Sequence, residues 1–171
     1  MDLFNEVGEL FNPDGCFRPE IITEPTNRIL NKSLVYAMQT KWETIRTPHL
    51  FMGLLACPDK GIREWGNCLG TNLQKLLEQF RELFQMEEGT TDLPPLKLNR
   101  EFCSDNVIKL LRNALLRVRQ SGRYRISPMD LLVEIFALPN SIVAECFRRI
   151  GISSEQLMEI AILAEQQIEF E

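Results

Sequence analysis

A chain of 171 residues with 44% apolar and 25% charged residues has the balance of an ordinary globular protein and is long enough to bury a real core. Its net charge of −5 argues against a nucleic-acid partner, no apolar run reaches the roughly 20 residues that span a bilayer, and acids stand where a signal peptide carries basic residues, so a cytoplasmic protein without membrane contact is expected. A single histidine, His49, and five cysteines without any C-x-x-C pair leave no His-rich metal site and no disulfide framework, which predicts a non-enzyme with no metal or cofactor and mostly small buried thiols.

Residues 1–11 place Leu3, Phe4, Val7, Leu10 and Phe11 at helical spacing, and Asn12-Pro13-Asp14-Gly15 ends this short leading helix with turn chemistry. Two prolines and Ile21-Ile22 predict an extended stretch over 16–25. From about Thr26, Leu30, Leu34, Ala37 and Met38 share one face of a helix, with Ser33 between them. Thr47-Pro48 is a helix start, because threonine accepts from a free backbone N–H and proline suits the first helical position. A short apolar helix over 49–57 follows and Pro58-Asp59 breaks it; a third helix over 60–69 stops at Gly70. A fourth, over 72–84, carries Leu73, Leu76, Leu77, Phe80 and Phe84 on one face, and residues 86–99 have linker composition.

The pattern then begins again. Ser104-Asp105 caps a helix carrying Leu110, Leu111, Ala114, Leu115 and Val118, which Gly122 ends. Ser127-Pro128 starts another short apolar helix, over 129–138, that meets Pro139. A third helix is expected over 140–150 with Gly151 as its stop, and Ser153 or Ser154 caps a last helix running towards Glu169. The two halves repeat at a spacing of 80 to 81 residues: Thr47-Pro48 answers Ser127-Pro128, Leu50 answers Leu131, and Leu69-Gly70 answers Ile150-Gly151. The expected architecture is all-α, two pseudo-symmetric four-helix repeats at about 26–84 and 100–169, joined by a linker at 85–99 in one domain that spans 1–171 and has an extra short N-terminal segment. Each half is too small to bury its own apolar faces, so the halves pack together, with a groove expected where equivalent helix starts meet.

Thr47-Pro48-His49-Leu50-Phe51-Met52-Gly53-Leu54-Leu55 resembles the T-E-H-L-L-x-G-L-L signature of the Clp N-terminal repeat, found in the Clp/Hsp100 AAA+ unfoldases. Ser127-Pro128-Met129-Asp130-Leu131-Leu132 is similar to its T-P-E-H-L-L variant, and the resemblance covers about 26–164. It implies a double Clp-N domain, stand-alone or the front of a larger protein, that binds unfolded or tagged proteins or adaptors for a Clp-type AAA+ ring. It implies no catalysis, and the chain has no G-x-x-x-x-G-K-[ST] phosphate loop. Some members of the family recognise phosphorylated arginine with acids at these helix starts, where this chain has Pro48 and Met129, with Asp130 beside the latter. Apolar peptide or adaptor contact through Pro48, His49, Phe51, Met129 and Asp130 is therefore the expectation.

Outside the motifs, His49 suits a helix-linking role, and Trp42 and Trp65 suit core or edge packing. Lys109, Arg112 and Arg119 lie opposite the apolar stripe of their helix, with Arg123 and Arg125 following, so the second repeat has a basic patch. Such a patch is a solvated face or a contact for an acidic partner. The patch belongs to a second reading, a structural accessory that docks on a Clp protease or ATPase assembly. A third, a cysteine-dependent enzyme pairing Cys57 or Cys68 with His49, is opposed by the eight residues, more than two turns, between His49 and Cys57.

Overall fold

Side-chain caps set most of the helix starts. A computed structural model describes residues 10–40, 44–83, 102–138 and 141–167. Most of the expected leading helix, Trp42 and the expected linker lie outside them. Among the described residues there are eight α-helices: α1 Glu24–Gln39, α2 Thr47–Ala56, α3 Lys60–Leu69, α4 Leu73–Leu83, α5 Asp105–Gln120, α6 Pro128–Ala137, α7 Ile142–Arg148 and α8 Ser154–Gln166. The side chains of Thr23, Asp59, Ser104, Ser127, Ser141 and Ser153 each accept a backbone N–H three residues on, satisfying a donor that the first turn leaves free. Gly70 and Gly151, with φ of 78° and 90°, end α3 and follow α7 in the left-handed conformation that favours glycine.

Three boundaries differ from expectation for a physical reason. The expected extended stretch over 16–25 contains a 3-10 turn at Pro19–Ile21, and Thr23 caps α1, which therefore starts at Glu24 with Pro25 in its first turn. Ser141 caps α7, which delays its start to Ile142. Thr47 is the first helical residue of α2 rather than its cap, and Arg46 occupies the cap position. Arg46 therefore corresponds to Ser127, and the two repeats keep one spacing of 81 residues through their second helices.

Backbone pairing makes that spacing visible. Ile22 forms a parallel bridge with Ile126, and Ile45 forms one with Cys103. The Ile126 N–H donates to the Ile21 carbonyl at 2.7 Å and the Thr23 N–H to the Ile126 carbonyl at 3.1 Å. Equivalently, the Ile45 N–H donates to the Phe102 carbonyl at 2.6 Å and the Ser104 N–H to the Ile45 carbonyl at 3.0 Å. Each repeat's entry to its first helix is thus clipped to the other repeat's entry to its second helix. The halves are crossed over and do not sit simply side by side.

The clips hold α2 and α6 in the middle. Every residue from Thr47 to Leu55 is buried, as is every residue from Pro128 to Val133, so both helices are covered on all sides and are largely apolar, with His49 and Asp130 as buried polar exceptions. Phe51 of α2 makes edge-on contacts with Trp65 of α3, Phe80 of α4, Phe136 of α6 and Phe147 of α7, at centroid distances of 5.0 to 6.3 Å. Rings from both repeats therefore meet on one side chain. The buried indole N–H of Trp65 has no hydrogen-bond partner, a cost of about 1–3 kcal/mol that ring packing must offset. Gly53 lets α1 and α2 approach closely: a Cβ there would lie 2.6 Å from Ser33 Oγ and 2.8 Å from the Ile29 carbonyl oxygen. Ser33 itself donates to that same carbonyl at 2.7 Å.

Two substitutions test this account by urea unfolding. Phe51→Ala should cost about 3–5 kcal/mol through the cavity it leaves between the repeats. Gly53→Ala should cost about 1–3 kcal/mol, because a backbone carbonyl cannot move aside as a side chain can.

Candidate functional site

At the starts of α2 and α6 the same position holds different chemistry. His49 Nδ1 accepts the Arg46 N–H at 2.9 Å, which places the ring proton on Nε2, 2.9 Å from Thr40 Oγ1. Thr40 Oγ1 in turn donates to the Ala37 carbonyl at 2.9 Å, so His49 links the start of α2 to the end of α1. Burial, reinforced by the Arg46 cation, lowers the His49 pKa to about 4. The equivalent Asp130 accepts the Ser127 N–H and hydroxyl at 2.8 Å each. Its carboxylate is also gripped by Arg117 at 2.5 Å and by both terminal nitrogens of Arg123 at 2.7 and 2.9 Å. Arg117 reaches on to Glu165 of α8 at 2.6 Å. Burial alone would raise the Asp130 pKa, but the hydrogen bonds from Arg123 and Ser127 outweigh it and hold the carboxyl below its usual range.

These contacts correct the expected binding surface. Pro48, His49, Phe51, Met129 and Asp130 are all buried, and the last four expose no surface at all. They build the joint between the repeats, and of the five only Pro48 borders an open hollow. The basic patch is also redistributed: Lys109, Arg119 and Arg125 are exposed and Arg112 is half-buried, whereas Arg123 turns inward to Asp130. The thiols are less buried than expected, since only Cys103 is buried; Cys16, Cys57 and Cys146 are half-buried and Cys68 is exposed.

The open feature lies elsewhere. A groove of about 680 Å³ runs along α7, from Leu83 at the end of α4 to Phe136, Leu138 and Ile142. A smaller hollow of about 160 Å³ adjoins it, sharing Leu138, Ser141 and Ile142 and reaching Thr47, Pro48 and Lys109. Leu83 is 57% and Ile142 46% exposed, high for large apolar side chains. The repeat explains the opening. In the other half α3 packs closely on α8, but the equivalent contact of α7 with α4 is slight. Trp65, fully buried on α3 among the rings of Phe51, Phe136 and Phe147, corresponds at the 81-residue spacing to Cys146 on α7, which lines the groove.

A family model for the Clp repeat (R) N-terminal domain matches residues 21–150. The chain belongs to this family. The crystal structure of the N-terminal domain of the caseinolytic protease associated chaperone ClpD from Arabidopsis thaliana has the same fold, with a TM-score of 0.62 over 86% of this chain and 96% of that one, at 19% identity. No curated protein sequence matches the chain.

Within the Clp repeat fold of this chain, the family signature thus marks the structural joint. The groove residues Leu83, Leu138, Ile142, Arg148 and Arg149 have no motif of their own. Among the described residues no cluster of His, Cys, Asp and Glu is arranged to hold a metal ion, and no helix is long and apolar enough to cross a membrane.

The two helix starts make distinct predictions. His49 is held neutral, so its contribution to stability is complete above pH 6.5 and is lost as pH falls from 6.5 through about 4, amounting to at most about 3 kcal/mol. Urea unfolding between pH 7 and 4 should show this limb, and His49→Asn, which keeps an acceptor for the Arg46 N–H, should flatten it. Asp130→Asn should cost on the order of 3 kcal/mol at pH 7, because Arg117 and Arg123 lose their counter-charge.

Proposed function

We propose that this chain is a non-catalytic protein-binding domain that receives unfolded or tagged proteins, or adaptors, on behalf of a Clp-type ATPase, and that they bind in the groove along α7. The observation that carries this reading is the groove itself. Its lining brings the apolar side chains of Leu83, Phe136, Leu138 and Ile142 together with the charged Arg148 and Arg149, and it occurs where the repeat symmetry would lead to close helix packing. Membership of the Clp repeat family supports the link to such an ATPase.

The absence of a catalytic role rests on two supports. Both nitrogens of His49 are occupied in holding α1 to α2, which leaves neither to serve as a base. Burial pushes the Cys103 thiol up to about 12 and raises that of Cys146, opposite to the depression that an activated nucleophile needs.

A photo-crosslinking amino acid placed at Ile142, with Tyr124 as an exposed control away from the groove, tests the proposal in the native host. Client or adaptor proteins of a Clp machine should crosslink at position 142 and not at 124. Recovery of the ATPase ring itself, abolished by charge reversal at Arg119 and Arg125 and indifferent to position 142, would instead establish the docking accessory.

A further inference from the structure

We infer that the groove along α7 selects acidic peptide segments with apolar side chains, a refinement that rests on the reading of the groove as a protein-binding site. The chain as a whole carries a net charge of −5, yet the groove and its adjoining hollow have the opposite sign. Among the described residues the charged lining consists of Arg148, Arg149, Arg46 and Lys109 against one acid, Glu145. Glu145 sits beneath both α7 arginines, paired with Arg148 and 4.0 Å from Nε of Arg149. A carboxylate has only two oxygens and two guanidiniums have five N–H donors each, so Glu145 satisfies only some of them. Arg148 and Arg149 are 71% and 77% exposed, so their remaining donors face solvent at the rim.

Charge and apolar surface are adjacent here. Ile142 and Leu138 lie on the stretch common to the groove and the hollow, with Arg148 and Arg149 lining the groove and Lys109 the hollow. A segment whose apolar side chains enter between these ends carries its flanking residues past cations on each side. Carboxylates in the flanks gain charge-assisted, bidentate hydrogen bonds from arginine, whereas lysines there meet like charge. The apolar floor supplies affinity and the rim supplies choice.

Three short fluorescent peptides test this by anisotropy: an apolar core with acidic flanks, the same core with basic flanks, and acidic flanks around a Gly/Ser core. The first should bind about tenfold or more tightly than either of the others, with the preference over the basic peptide shrinking as ionic strength rises. The double variant Arg148→Glu, Arg149→Glu should lose or invert that preference, and Ile142→Asp should weaken binding of the first peptide. All three substituted positions are exposed, and matching circular dichroism verifies folding. Cys146 lines the groove and Cys68 lies outside it, so bound peptide should slow alkylation of Cys146 alone, read by mass spectrometry. Equal affinity for acidic and basic peptides, unchanged in the double variant, overturns the charge selection while leaving a protein-binding groove in place. Acidic-peptide binding that leaves Cys146 unprotected overturns the assignment to this groove. Loss of specific crosslinks at position 142 bears separately on the broader reading.

Discussion

Phe51 stands where five helices converge, and the rest of the domain depends on that packing. It comes from α2, yet two of its four ring neighbours, Phe136 and Phe147, belong to the other repeat. Neither repeat can complete this core alone. The crossed backbone bridges at Ile22–Ile126 and Ile45–Cys103 bring the second helices of the repeats to the centre, where their apolar surfaces are covered on every side. Backbone pairing fixes the arrangement and aromatic burial supplies the driving force.

A buried helix start presents a polar problem, and the repeats solve it in opposite ways. His49 satisfies the Arg46 N–H as a neutral ring and donates its Nε2–H to the Thr40 hydroxyl, so no charge is buried. Asp130 satisfies the Ser127 N–H as an anion, which requires Arg117 and Arg123 to close around it and ties in Glu165 of α8. The first solution fails by protonation and the second by loss of a partner. Arg123, which by sequence belongs with surface cations, is thereby committed to the interior.

The functional consequence of the duplication lies in its imperfections. Symmetry alone would give two closed sides, but α3 packs closely on α8 while a groove opens between α7 and the end of α4. The groove is bordered by exposed leucine and isoleucine side chains and by cations that an otherwise acidic molecule gathers in one place. The family motif and the groove are different regions that touch only at Thr47 and Pro48.

Helix positions, the eight-helix order and the repeat were legible in the sequence because they rest on local chemistry: serine and aspartate caps, proline first turns, glycine stops and apolar periodicity act within a few residues. The one-residue shift at Thr47 escaped notice because an imidazole serves as the cap there, and its acceptor nitrogen depends on the partner of the other nitrogen. The same motif residues looked like a binding surface because a helix that is apolar all round has the same sequence whether it lines a groove or fills a core. Which of these holds depends on what covers it. The sequence by itself determined the elements, their duplication and the family; the tertiary structure alone decided that Phe51 and Met129 are interior, that Arg123 faces Asp130, and that the open surface lies along α7. Those outcomes depend on contacts between residues far apart in the chain, and local pattern carries no information about which distant side chain fills a given space.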